Sequence, residues 1–200
     1  MSPEEYKAAF AVAVLSLALV AAFPTASMIW PFPRSTQRFS ELWLLGPNHM
    51  AENYPFNVRA GDVQGPVYVG VSNHLGRSGY YLVYVKFRNH TQQLPNATAS
   101  EPSPLSPLYE FQFFLEDGET WEAPVSFTVE DVSFDGNRSF VTAISIEDHV
   151  FPVNLFSSWD SEYRGFFYQL FFELWLYNTD LQVFQVHDRF VGLWIDIMRT

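Results

Sequence analysis

The stretch VYVGVSNHLGRSGYYLVYVKF, residues 67–87, holds two runs of β-branched and aromatic residues separated by a glycine-bounded connection. Residues 67–72 read as a strand ended by Asn73 and His74, and residues 80–87 as its partner. Gly76 and Gly79 supply the positive φ angles that a tight connection needs, so the expectation is a β-hairpin. The same alternation recurs on both sides. Further strands are expected over residues 41–45, 109–115, 125–130, 140–146, 171–177 and 191–197, with turn chemistry between them at Gly46-Pro47-Asn48, Gly61-Asp62, Asp117-Gly118 and Asp135-Gly136-Asn137. No alternation of strands with amphipathic helices is present, so a parallel α/β fold is disfavoured and an all-β antiparallel sandwich is expected.

Composition sets the bounds. The chain has 200 residues, 18% of them aromatic against 16% charged, which points to a large buried apolar interior in one domain. The formal net charge of -11 repels phosphates, so nucleic acid is excluded as a partner. The chain has no cysteine, which rules out disulfides and thiolate metal ligands.

Residues 8–30 are apolar and uncharged. At helical rise they would extend about 34 Å, enough for a bilayer core of roughly 30 Å. The domains are accordingly a tail over residues 1–7, a transmembrane helix over 8–30, a linker over 31–40 and a β-sandwich over 41–200. A cleaved signal peptide is the competing reading, with PTAS as its cleavage region. Glu4 and Glu5 beside Lys7 make a poor signal n-region and favour a retained anchor. Arg34 and Arg38 after the helix lean towards a cytoplasmic domain. Three sequons, at Asn89, Asn96 and Asn137, argue for the extracytoplasmic side and are expected to be exposed glycosylation sites. So short a linker leaves no room for a stalk, and membrane lipid is the expected partner of the helix.

The proline-rich segment 94–107 cannot pair in a sheet and is expected to be a mobile surface loop. The most apolar part of the body, FFYQLFFELWLY at 166–177, has one continuous apolar face under period two. Its other face carries Phe167, Phe171, Trp175 and Tyr177 among polar residues. Aromatic residues there imply cover by the chain's own 148–160 loop, by a protein partner or second copy, or by the membrane surface.

The residues FSELWLLGPNHMAENYP at 39–55, the run 67–74 and the terminal LWIDI at 193–197 resemble the archaeal membrane-protein family of unknown function DUF1616. That resemblance implies transmembrane helices followed by an extracytoplasmic, immunoglobulin-like β-sandwich. It brings no activity and no catalytic residues, and the middle, residues 91–163, looks divergent. This chain has at most one of the helices, so a function seated in the others does not transfer.

The sequence shows no nucleophile elbow, phosphate loop or metal-spaced histidine pair. Gly70-Val-Ser72-Asn-His74 lacks the second glycine of an elbow and is read as a turn. Residues 131–137 lack the alternate ligands and closing glutamate of a calcium loop and are also read as a turn. His49, His74, His90, His149 and His187 are scattered. Glu116-Asp117 and Asp160 with Glu162 are read as surface charge. No catalytic residue, metal site or cofactor is expected. The function expected is a non-enzymatic, membrane-anchored component of the cell envelope. The alternative is an accessory or self-assembling subunit that pairs through a sheet edge or the aromatic face of 166–177.

Overall fold

The computed structural model describes Pro3, Tyr6, Lys7, residues 10–18 and residues 38–199. The chain divides into two units, Met1–Gln37 and Arg38–Thr200. In the first, residues 10–18 are helical, and the Ser16 hydroxyl donates to the Val12 carbonyl at 2.8 Å. No helix among the described residues is long and apolar enough to cross a membrane. Most of the span expected at 8–30 lies outside the described residues.

The second unit is built of ten strands: β1 (Phe39–Leu45), β2 (Asn57–Val58), β3 (Val63–His74), β4 (Gly79–Asn89), β5 (Tyr109–Leu115), β6 (Thr120–Asp135), β7 (Arg138–Ile146), β8 (His149–Ser158), β9 (Phe167–Asn178) and β10 (Val183–Ile197). They form two five-stranded sheets, ordered β1-β3-β6-β7-β8 and β2-β10-β9-β4-β5. All pairings are antiparallel except the short β2, which lies parallel to β10. The all-β expectation holds. The first strand begins at Phe39, two residues earlier than the expected domain boundary.

The hairpin expected over 67–87 is not formed. β3 pairs with β1 and β6, β4 pairs with β5 and β9, and the chain crosses from one sheet to the other between His74 and Gly79. Each strand has an apolar alternation that wants cover on one side. Val67, Val69 and Val71 therefore face Tyr81, Val83, Val85 and Phe87 across a shared core, instead of lying beside them in one sheet. Gly70–His74, read as a turn, is the last part of β3.

Asn73 holds this crossing. Its side-chain amide, fully buried, donates to the carbonyls of Arg77 at 2.8 Å, Leu115 at 3.1 Å and Glu116 at 3.0 Å. Its Oδ1 accepts from the Leu75 amide and the Tyr81 hydroxyl. Leu115 and Glu116 begin another crossing, from β5 back to β6, so one carboxamide clasps these two. Beside it the Ser40 hydroxyl lies 2.8 Å from the Tyr81 hydroxyl and 3.0 Å from Nε2 of His187. The start of β1 is thereby fixed against the start of β4. Burial holds His187 below its ordinary pKa, with Arg189 adding to the effect, so the imidazole is neutral at pH 7.

Residues 148–160, expected as a covering loop, are mostly β8. β8 carries Pro152 and is the edge of its sheet, where a missing ladder donor is tolerated. On the outer face of the first sheet, the indole of Trp43 lies over Gly70, its cross-strand partner, so that a Cβ at Gly70 would overlap the ring. Gly70→Ala is expected to displace the ring and lower stability by about 1–3 kcal/mol. Denaturant unfolding of the full chain measures it, and an unchanged midpoint would contradict the packing described.

Candidate functional site: an aromatic cleft at one end of the second sheet

The outward side chains of the second sheet follow from its register. Tyr84 stands opposite Glu173, Lys86 opposite Phe171 and Arg88 opposite Gln169, while Phe171 faces Gly192 and Gln169 faces Trp194 on β10. Two opposite charges in largely apolar strands meet here. Lys86 Nζ lies 2.5 Å from Glu173 Oε2, and both side chains are buried. The proline-rich segment is bound to this pair. The Ser103 amide donates to Glu173 Oε1 at 2.8 Å, and its carbonyl accepts from Lys86 at 3.1 Å. The Ser103 hydroxyl bonds back to the Gln93 carbonyl, Arg88 donates to Gln169 Oε1 at 2.7 Å, and its guanidinium also reaches the Gln92 carbonyl. The segment is thus a strap latched across the middle of the sheet. Phe171 is 0% exposed, and its Cβ comes so close to Gly192 that a side chain there would collide with it.

Beyond the latch, where β4 and β10 end and β9 begins, the face opens into a cleft of about 460 Å³ lined by Phe56, His90, Asp160, Tyr163, Phe167 and Trp194. A second cavity of about 470 Å³, lined in part by Leu44, Tyr54 and Val191, shares Phe56 and Trp194 with it. The Phe167 ring stands 6.2 Å from Phe56 and 6.3 Å from Tyr163, the latter edge-on. The Arg88 guanidinium lies 5.1 Å from the Trp194 ring. The loop carrying Asp160 and Tyr163 is closed by its own bonds, because Asp160 Oδ1 accepts the amides of Glu162 and Tyr163 and Asp160 pairs with Gly165. His90 Nδ1 lies 3.3 Å from the Ser157 hydroxyl. Ring faces with a carboxylate and an imidazole at the margin can grip a ligand that is apolar on one side and hydrogen-bonding at its edge.

Asp196, paired with Phe167, braces this end of the sheet. Its carboxylate accepts the Phe166 amide at 2.7 Å and sits where a Cβ on Gly165 would lie, which pins the approach to β9. Burial raises its pKa, against a smaller lowering by the Phe166 hydrogen bond.

Of the sequons, Asn96 and Asn137 are exposed, but Asn89 is only 5% exposed. Its Nδ2 donates to the Phe156 carbonyl, and its Oδ1 accepts from Thr91 and Gln92, so the expectation of three exposed sequons fails at Asn89. The four aromatic residues singled out lie on one face of the second sheet, as expected, but do not form one patch. Phe167 lines the cleft, Phe171 is buried, Trp175 donates to Glu173 Oε2 at 3.1 Å, and Tyr177 joins Tyr80 and Phe184 at the other end of the sheet. The structure does not gather the histidines, and no group of metal-ligating side chains occurs among the described residues. Phe56, Tyr163 and Trp194 were missed. Trp194 had a signal, since period two counted from the inward Leu193 sets it outward beside Phe167 and Gln169.

Fold and site together define an all-β, two-sheet protein with an aromatic cleft at one end. The chain belongs to the DUF1616 family, described as a domain of unknown function, which matches residues 33–139. The match runs through the strap, a region that looked divergent, and stops before residues 193–197, which carried part of the resemblance. Phe56 and His90 lie within it, and the other four lining residues lie beyond it. No curated protein matches. Among solved structures the chain is similar to a beta-glucosidase from Listeria innocua in complex with gluconolactone, at 11% identity and a TM-score of 0.38. That likeness covers 80% of this chain and only 16% of the enzyme, and it carries no inference about fold or activity.

Because its folded pKa is raised, Asp196 favours folding most below the ordinary carboxylate value of 3.8, and this contribution is lost as pH rises through the folded value. Asp196→Asn keeps an acceptor for the Phe166 amide without the charge. Thermal unfolding is expected to show it at least as stable as the parent at pH 7, with that advantage shrinking towards pH 4. A variant destabilised at pH 7 but not in acid would contradict the sign.

Proposed function

We propose that the chain is a membrane-anchored, extracytoplasmic, non-enzymatic component of the cell envelope that binds neutral glycan through the cleft of Phe56, Tyr163, Phe167 and Trp194. The observation that carries this reading is the position of the cleft. It lies at the end of the sheets opposite Phe39 and Ser40, where the chain arrives from the apolar segment, so an anchored domain would present it outward. A sugar's apolar face suits the rings, and its hydroxyls suit Asp160 and His90. The net charge of -11 disfavours polyanionic glycans.

An anchor is supported by the uncharged run at 8–30 and by the bare side chains of Phe10, Val12, Val14, Leu15 and Leu17 on the described helical turns. The extracytoplasmic side is supported by the exposed sequons at Asn96 and Asn137. An immunoglobulin-like class is supported by strand order. β1, β3 and β6 stand in one sheet and β10, β9, β4 and β5 in the other, as strands A, B, E and G, F, C, C′ do in such sandwiches, with β7 and β8 extending the first sheet.

Titration of the full chain in lipid nanodiscs with neutral oligosaccharides tests the reading. Binding is expected to weaken more than about tenfold in Trp194→Ala. Absence of binding across neutral sugars, or equal binding by the variant, would overturn it. Peptide mapping of the native protein is expected to find glycan at Asn96 and Asn137 and none at Asn89.

A further inference from the structure

The end of the second sheet nearest the start of β1 carries a second aromatic group, which the strap leaves uncovered. Tyr80, Tyr177 and Phe184 pack ring to ring at 5.1, 5.3 and 6.1 Å. Phe114, paired with Tyr80 across β5, extends the group on one side and is 60% exposed. Leu181 and Val183, at the β9–β10 turn, extend it on the other at 59% and 49%. The Tyr80 hydroxyl donates to Gln112, which lies two residues further from the rim along β5, so the polar tip of the ring is satisfied away from this edge. The strap meets the sheet at Lys86 and Glu173, well beyond Leu82 and Trp175, and supplies nothing here.

We propose that this rim, Tyr80, Phe114, Tyr177, Leu181, Val183 and Phe184, rests in the headgroup layer of the bilayer in which the chain is anchored. This inference rests on the anchored reading given above and adds to it the surface that meets lipid. The start of β1 lies at this end, since Phe39 pairs with His74 and the Ser40 hydroxyl touches Tyr81. Eight residues, 31–38, separate the apolar run from β1, and fully extended they reach at most about 27 Å. The rim is therefore held within a short tether of the membrane surface. Tyrosine rings and scattered aliphatic side chains suit that layer, where an apolar body is buried and a polar edge stays wet.

Charge at this end selects the lipid. Arg38, Arg77 and Arg189 are the cations, and Glu41, Glu116, Asp117, Glu119, Asp180 and Asp188 are the acids. Asp117 accepts the Gly76 amide at 2.7 Å and Glu119 the Glu116 amide at 2.7 Å, so two of the acids are occupied within the turns. The balance is still acidic and opposes anionic headgroups. The occupant is a neutral or zwitterionic interface, entered by apolar contact.

The chain has no cysteine, so a single Leu181→Cys or Phe114→Cys carries one environment-sensitive fluorophore on the rim, and Asn137→Cys carries it at the opposite end. The full chain is reconstituted in phosphatidylcholine vesicles containing a headgroup nitroxide lipid. Both rim labels are expected to show blue-shifted emission and several-fold stronger nitroxide quenching than the label at 137. Water-like emission at both rim positions on protein that floats with the vesicles overturns the rim contact and leaves the anchor standing. Shielding that escapes the nitroxide and grows with the protein-to-lipid ratio assigns the rim to a second copy, and also overturns it. A chain that does not float with the vesicles overturns the anchored reading and the rim contact with it.

Discussion

The buried carboxamide of Asn73 is the constraint on which the two-sheet arrangement rests. A sandwich must carry its chain from one layer to the other, and each crossing takes backbone groups out of a ladder and into a partly dry place. Here two of the five crossings, β3 to β4 and β5 to β6, pass the same point. The side chain of Asn73 donates to carbonyls from both and accepts from the Leu75 amide and the Tyr81 hydroxyl. Its own backbone adds two more bonds to the second crossing, from its amide to the Glu119 carbonyl and from the Gly118 amide to its carbonyl. Few side chains carry both donors and an acceptor in so small a plane. With the crossings fixed there, Ser40, Tyr81 and His187 lock the start of the first strand against the second sheet, and the two ends of the molecule become distinct.

What separates those ends is a polar stripe. Lys86 and Glu173 form a buried ion pair, a costly arrangement unless further hydrogen bonds satisfy both charges. Ser103 and the Trp175 indole supply those bonds, so the proline-rich strap is part of the sheet's polar accounting and not a free loop. The strap closes the middle of an otherwise aromatic face. It leaves open the cleft of Phe56, Tyr163, Phe167 and Trp194 at one end and the rim of Tyr80, Tyr177 and Phe184 at the other. One outer surface thus holds two separate open aromatic regions.

Much of this was legible in residue order, and the failures have physical causes. Alternation gave β5 its observed bounds, Tyr109–Leu115, and located β9 and the end of β10, because each carries an unbroken apolar face; β7 was located by its β-branched and aromatic run, although a bulge shifts its buried face between Val141 and Ile144. β2 has two residues and no pattern to read. β8 reads in the sequence as part of a loop, and its Pro152 is tolerated at the edge of the sheet beside a register shift. The crossing at residues 75–78 looked like a hairpin turn because glycines serve both equally, and what distinguishes them is the distant Leu115 and Glu116. The strap was taken as mobile from its prolines. Its latch had a signal all the same: Glu173 is the one charge of an apolar strand, and Lys86 and Arg88 stand in its neighbour. The cleft was the least visible feature, since its lining comes from five separate parts of the chain, and His90 and Asp160 read in the sequence as scattered polar groups.

The most direct test of this account is equilibrium unfolding of full-length Asn73→Ala beside the parent in the same mild detergent. The substitution removes the clasp and leaves three carbonyls and two donors without their partner. The account predicts a loss of more than about 3 kcal/mol, together with loss of hydrogen-exchange protection at Leu75 and Gly118. A loss below about 1 kcal/mol with both amides still protected would contradict the claim that Asn73 holds the two crossings together.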